Sequence, residues 1–436
     1  MPSTAIVWLR RDLRVHDHPA LHRALREFDR VVMAFVLDDR LLTGRFASEP
    51  RTAFMVGCLR ELGDGLVVRR GAPEREIPAL AKELSAAAVL WTSDVSAFAR
   101  SRDRRVSEAL EAAGVDAAPC GGNYVVDIGK VKTKTGKPYT VFSPFWRTWQ
   151  QIPRRVVRRG AEIEAHGLRS ESLPQLSAQL EFVPGEAAAR DALAAWLADG
   201  VDAYDGEGRT SGLSPYLRWG CLSPRECEER ALRRDTAGAE AWVRQLCWRD
   251  FFAHVLLRHP GNSHEEHQPR LRTLEWEHDE ELLAAWQEGQ TGFPLVDAGM
   301  RQLAGAGWMH NRARLVVGSF LTKDLHLDWR AGELHFQRLL LDGEPAQNNG
   351  NWQWIASVGV DPAPAFRRIF NPTLQAQKFD PDGDYIRRWV PELAGLEGGA
   401  IHDPSPEDRL ACGYPDPIVE HAVERRRALE RYAATS

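Results

Sequence analysis

The most chemically specialised string in this 436-residue sequence is NNGNWQWIASVGVDPAP, residues 348–364. It crowds three asparagines, one glutamine and two tryptophans together and contains no histidine, cysteine or lysine. Side chains that commonly move protons or attack carbonyls are therefore missing where the composition is most unusual. Just upstream, Arg314 and Asp342 are candidate ion-pair partners across two helices. Each sits beside polar groups able to meet the edge of a polar ring, which needs a fixed set of amides and carboxylates around it. Trp329 and Trp352 add aromatic surface there. Taken singly, a tryptophan at a helical position reads first as core, because it buries a large apolar area.

Three further strings could do chemistry. VRQLCWRDFFAH puts Gln245, Trp248, Arg249 and Phe252 on neighbouring faces of one helix. An aromatic plate, an amide and a guanidinium could stack on and hydrogen-bond a base; an amphipathic core helix with an ion pair is the plainer alternative. In RTSGLSPYLRWGCLSP, Thr210, Ser211, Gly212, Leu213 and Ser214 offer hydroxyls and bare backbone N–H groups just before a helix, an arrangement that suits a phosphate. A capped helix start is the plainer reading of that fragment. HPGNSHEEHQ holds His259, His264 and His267 without HExxH spacing or matched cysteines, so it reads as a loop, and no metal site is expected.

These residues need elements to position them. TAIVWL, VVMAFVL, GLVVRRG and AVLWTS read as buried strands, separated by DHPALHRALREF, PRTAFMVGCLREL and PEREIPALAKELSA with helical spacing, and followed by the helical SRDRRVSEALEAAG. Strand–helix–strand units of this kind predict a doubly wound, Rossmann-like parallel sheet over residues 1–130. The GxGxxG fingerprint is absent from the first strand–helix turn, so that turn would not hold a chromophore. Residues 131–185 read as an interdomain linker, with no sustained period between Pro153 and Pro184. From residue 186 to 436 apolar residues recur at i, i+3, i+4, which predicts an all-helical domain holding most of the tryptophans.

Composition bounds the rest. The chain is 43% apolar and 27% charged with a net charge of −5, so nucleic-acid binding would have to come from a local basic face. MPSTAIVWLRRDLRVHD lacks the apolar stretch and cleavage site of a secretory signal, and no run is apolar enough to span a membrane. The six cysteines are scattered without a CxxC pair, which suits reduced thiols in a cytoplasmic protein.

Together the strings resemble the photolyase/cryptochrome flavoproteins, in the bacterial, class I-like cyclobutane-dimer branch. The resemblance runs from WLRRDLRVHDHPAL to YPDPIVEH. It is densest in GWMHNRARLVVGSFLTKDLHLDWR, DGEPAQNNGNWQW and FRRIFNPTLQAQKFDPDGDYIRRWVPEL. It implies an α/β domain carrying an antenna chromophore and a helical domain that holds a U-shaped FAD and binds UV-damaged DNA. It also implies a monomeric lyase that splits cyclobutane pyrimidine dimers by electron transfer from photoexcited, reduced FAD to a flipped-out dimer. The opening string would then surround a flavin and conduct electrons. Matched by motif, Tyr204 and the Thr210–Ser214 run would hold the FAD phosphates and ribityl chain, with Arg249 also at the cofactor. Arg314 and Asp342 would pair beside the isoalloxazine, Asp342, Gly343 and Glu344 would line its edge, and Asn348 would face N5. The electron-relay tryptophans fall on Trp352, Trp329 and Trp276. Trp248 and Asn311 match residues packed on the flipped dimer.

The sequence also departs from the family pattern. Gln245 and Leu315 stand where cyclobutane-dimer enzymes usually carry glutamate and methionine, and Gly212 replaces the arginine of a Thr–Ser–Arg–Leu–Ser motif. With the short loop YDGEGRTS, this predicts weaker DNA affinity. Glutamine at 245 is familiar from six-four photolyases and animal cryptochromes, but the six-four histidine pair is not met, since His310 is followed by Asn311. A cryptochrome-like photoreceptor is the rival; the absence of a long extension after VERRRALERYAATS weighs against it. SDVSAFARSRDRR lacks the Asn–Glu pair of folate-binding relatives, which favours a deazaflavin antenna.

Overall fold

The computed structural model describes residues 3–161, 163, 167–206, 208–360 and 364–435; Glu207 of the short loop and residues 361–363 of the asparagine-rich string lie outside it. The chain divides into two compact units, Met1–Pro260 and Gly261–Ser436.

In the first unit, β1 (Thr4–Leu9), β2 (Arg30–Leu37), β3 (Leu66–Arg70), β4 (Ala88–Thr92) and β5 (Asp116–Cys120) form a sheet of order β3-β2-β1-β4-β5, and every pairing is parallel. All six residues of β1 and all five of β4 are buried, as expected of strands covered on both faces. Strand order reverses between β1 and β4, the place where doubly wound sheets open a crevice at their carboxyl ends. Charge gathers there: Arg10 reaches Asp103 at 2.7 Å, Arg11 reaches Asp94 at 3.0 Å, and Arg10 and Arg102 both lie over the Trp8 ring.

The same unit continues through the first helices beyond the sheet because buried ionic groups fasten them to it. Glu186, which opens helix Glu186–Asp199, accepts from Val15 N at 2.7 Å and His16 N at 3.0 Å. Arg14 donates to the Gly220 carbonyl at 2.9 Å. Asp250, in helix Ala237–Arg258, accepts from Val126 N and Trp149 Nε1, each at 2.9 Å, and from Val125 N at 3.3 Å. The interval 131–185 is not uniformly irregular: Phe142–Gln151 is a helix whose Phe142, Phe145 and Trp149 are buried.

The second unit is helical. Helix Pro294–Ala306 begins with proline at N1, and a left-handed Gly307 ends it. His310, Asp328 and Glu344 are side-chain N-caps for helices Asn311–Ser319, Trp329–Leu339 and Pro345–Ile355. Trp286, Phe320 and Trp329 are fully buried among them. Gly332 lets the last two helices meet closely: a Cβ there would stand 2.2 Å from the Trp352 ring. A π-helical turn, Phe320–Asp324, joins Ser319 to the next helix region and buries Lys323, which donates to the Ile355 carbonyl at 3.2 Å and Tyr432 Oη at 2.9 Å.

Candidate functional site

Within the second unit, the ion pair read from sequence is present. Arg314 and Asp342 form a two-bond fork, Nη1 to Oδ1 at 3.2 Å and Nη2 to Oδ2 at 2.8 Å. Arg314 Nε also donates to the Met309 carbonyl at 2.8 Å, so three of its bonds fix the guanidinium plane. Asp342 is nearly buried while a quarter of Arg314 remains exposed, leaving part of a preorganised charged pair open to a ligand. Asn311 and Leu315 lie one turn apart on the same helix as Arg314. His310 accepts from Arg312 N at 3.1 Å, and burial together with Arg314 and Arg312 lowers its pKa. It serves as the N-cap of helix Asn311–Ser319.

The amides of the asparagine-rich string turn out to be heavily committed to the fold. Asn348 Nδ2 donates to the Glu333 carbonyl at 2.9 Å and Gln337 Oε1 at 3.3 Å, which sets the direction of its own carbonyl oxygen. Asn349 Nδ2 and Gln353 Nε2 each donate to the Asn262 carbonyl at 2.8 Å. The loop around His264 and His267 is thereby tied to helix Pro345–Ile355. Glu344 caps that helix by accepting from Gln347 N at 2.8 Å, and the Gly343 carbonyl accepts from Gln337 at 3.2 Å.

Trp352 is buried with its ring edge-on to Phe336 at 4.9 Å and to Trp286 at 6.1 Å. Trp329 is fully buried and Trp276 half-buried. Their indole N–H groups donate to one shared atom, Glu266 Oε1, at 3.2 and 3.1 Å. The structure thus brings Trp276 and Trp329 together through a carboxylate from the loop string HPGNSHEEHQ, a residue that sequence reasoning passed over.

In the first unit, Thr210 and Ser214 are exposed, and Gly212 takes a left-handed φ of +64° just before helix Ser214–Trp219. That helix has no side-chain cap from its N-cap residue, Leu213. Tyr204 packs edge-on against Trp196 at 5.9 Å. On helix Ala237–Arg258, Gln245 is exposed, and Trp248 lies flat on Phe142, with centroids 3.6 Å apart and planes within 5°. Arg249 donates to the carbonyls of Asn123 and of Leu217, and covers the Tyr124 ring; the structure gives it a tying role within this unit. A cavity of about 100 Å³ lies past β4 and β5, lined by Ser93, Asp94, Asn123, Tyr124 and Leu257, too small alone for a cofactor-sized ring system.

The sequence profile of the FAD binding domain of DNA photolyase matches residues 242–434, and that of DNA photolyase matches residues 5–165. A deoxyribodipyrimidine photo-lyase of Streptomyces griseus is 41% identical, covering 98% of both chains. The chain belongs to the photolyase/cryptochrome family. Among solved structures, a class III photolyase from Agrobacterium tumefaciens superposes with a TM-score of 0.90 at 32% identity, covering 100% of this chain and 98% of that one. A Synechocystis cryptochrome gives 0.87 at 29% identity, covering 100% and 99%. An archaeal photolyase from Sulfolobus tokodaii, whose structure contains two FAD molecules, gives 0.85 at 31%, covering 99% and 100%. The fold expected from sequence, a parallel-sheet domain followed by helices, is the fold of this family. Residues 242–434 are those of an FAD-binding domain, and the donors in the second unit suit a flavin in kind. A flavin's polar edge alternates acceptors and one N–H donor, and the Arg314–Asp342 fork and the Asn348 amide supply both polarities. Among the described residues, no helix is long and apolar enough to cross a membrane.

Proposed function

We propose that this chain repairs cyclobutane pyrimidine dimers in DNA under light, with FAD as its cofactor. What carries the proposal is the Arg314–Asp342 fork in a chain similar over its whole length to deoxyribodipyrimidine photo-lyases. Tyr204, Thr210, Ser211, Gly212, Leu213 and Ser214 would hold the diphosphate and ribityl chain, using hydroxyls and helix-start N–H groups. Arg314, Asp342, Gly343, Glu344 and Asn348 would fix the ring edge. Bound there, FAD would supply light-driven one-electron chemistry for splitting the dimer, with no net redox change. Trp248, held flat by Phe142, would offer a rigid plate for the flipped dimer, and Asn311 and Leu315 are further candidate contacts to it. Gln245 donates its amide to the dimer carbonyls. Trp276, Trp329 and Trp352 carry electrons inward and so keep the cofactor reduced.

A second chromophore fits the family, since one relative holds two FAD molecules. The residues after β4, SDVSAFARSRDRR, favour a deazaflavin over a folate here. For the lyase reaction, photoreduced protein and an oligonucleotide with a single cyclobutane thymine dimer should show recovery of base absorbance in blue light and none in the dark. Intact photoreduction without recovery would transfer the assignment to a photoreceptor. Gln245 favours that second reading, because an amide cannot give the proton a carboxylic acid can.

A further inference from the structure

One carboxylate holds both outer tryptophans. Glu266 Oε1 accepts from Trp276 Nε1 at 3.1 Å and from Trp329 Nε1 at 3.2 Å, while its Oε2 accepts from Arg330 Nη2 at 2.9 Å. Trp352, the third tryptophan, instead meets the rings of Phe336 and Trp286. Glu266 is 5% exposed, so its charge acts through protein and not through bulk water. Hydrogen bonds from Arg330, Trp276 and Trp329 outweigh burial and hold its carboxyl below the usual range, which keeps it ionised near neutral pH.

The surrounding charges do not cancel that carboxylate. Arg330 lies over the Trp329 ring at 4.7 Å, a cation placed against any positive charge on that indole. It is shared, however, between Glu266 and Asp328, which it reaches at 3.1 Å. Arg272, which donates to the Glu266 backbone carbonyl, is paired with Glu265 at 3.1 Å. Among the groups bonded directly to Glu266 and to Arg330, two carboxylates stand against one guanidinium, and the second guanidinium is already matched.

An indole that has lost an electron is cationic and its N–H becomes a stronger donor, so a carboxylate accepting that N–H stabilises the oxidised form more than the neutral one. We propose that Glu266 is a positioning residue of the tryptophan relay: its charge makes oxidised Trp329 and Trp276 more stable than oxidised Trp352, and so draws the electron vacancy outward. The proposal rests on the relay reading above. In electron terms, Trp352 gives one electron to a light-excited oxidised flavin, Trp329 refills Trp352, and Trp276 refills Trp329. A thiol or other one-electron donor in solution then refills Trp276. No proton leaves the indoles, and Glu266 stays a carboxylate throughout.

The test uses a pair of substitutions with opposite predicted signs. Glu266→Gln and Arg330→Gln both break the same ion pair, so a packing role would make both impair the relay. An electrostatic role makes Glu266→Gln shorten the lifetime of the flash-induced tryptophan radical by about tenfold or more, and Arg330→Gln lengthen it. Glu266→Asp, which keeps the charge but withdraws it by one methylene, should recover part of the loss. Indole ¹⁵N–¹H resonances of flavin-loaded protein in the dark provide a reading independent of turnover: Glu266→Gln should shift the Trp276 and Trp329 signals and leave Trp352 in place. Changes of the same sign in both Gln variants, or none in either, overturn the role of Glu266. Trp352→Phe separates the two claims. If that variant still photoreduces, the relay itself falls and Glu266 with it; if photoreduction is lost, only the outcome of the Gln pair decides.

Discussion

At the scale of single residues, the site is a set of groups whose polarity matters more than their acidity. Gln245 is the sharpest case. It is exposed on helix Ala237–Arg258, one turn before Trp248, where an amide can reach the same ligand as the aromatic plate. An amide donates two hydrogen bonds but cannot release a proton to a ring that has gained an electron, whereas a carboxylic acid can. Gln245→Glu is therefore expected to raise the repair yield per photon by roughly threefold to tenfold, less than the roughly hundredfold or more that a positioned acid contributes to a rate-limiting proton transfer. Single-turnover flashes on a dimer-containing oligonucleotide measure this, and an unchanged or lower yield would mean that the amide is not what limits the reaction. Glu266 shows the converse limit on reading residues. Arg314 and Asp342 were legible in sequence as opposite charges in two unusual strings. Glu266 sits in HEEH next to Glu265, and nothing in the string distinguishes the carboxylate that meets two indoles from the one that pairs with Arg272.

At the scale of elements, what positions the inner tryptophan is an absence of side chain on the neighbouring helix. Gly332 is the fourth residue of helix Trp329–Leu339, and an added Cβ would meet the Trp352 ring at 2.2 Å and Leu321 at 2.6 Å. Both contacts are shorter than packed atoms tolerate, and Trp352 also packs edge-on against Phe336 and Trp286. Gly332→Ala gains helix propensity but must push that ring aside, so we expect a net loss of about 1–3 kcal/mol from overpacking. Calorimetry would read the stability, and photoreduction of the same variant should slow because the displaced ring is the innermost relay member. A stable variant with normal photoreduction would place Trp352 outside the relay. Other elements explain where sequence patterns run out. Strands β1 to β4 were legible because continuous apolar runs are what a sheet covered on both faces requires. β5, DAAPC, has no β-branched residue and contains Pro119; it is a strand because β4 offers it an edge to pair with. Helix Phe142–Gln151 was hidden in an aromatic run inside the apparent linker, and its helical state depends on burying Phe142, Phe145 and Trp149.

At the scale of the whole molecule, buried titratable groups predict how stability follows pH. In the first unit, His254 is buried, neither ring nitrogen has a hydrogen-bond partner among the described residues, and burial lowers its pKa to about 4. In the second unit, burial likewise lowers His335 to about 4. Between their ordinary value and about 4, the unfolded chain binds protons that these folded histidines refuse. Each such difference removes about 1.4 kcal/mol of stability per pH unit as the pH falls. Asp250 works in the other direction. Burial raises its carboxyl to about 7 against three donated hydrogen bonds, so between the ordinary carboxylate range and about 7 the folded chain holds a proton that the unfolded chain has released. Its contribution therefore grows as the pH falls from 7, and partly offsets the histidines. Removing each group should tilt the acid limb oppositely. His254→Leu should lose less stability between pH 7 and pH 5 than the parent protein does. Asp250→Asn should lose more over that interval, besides a loss of about 1–3 kcal/mol at every pH from an amide facing N–H donors. Thermal midpoints at three pH values would decide it: parallel limbs for all three proteins would mean that neither group changes its protonation on unfolding, and that the acid limb has its origin in the remaining carboxylates.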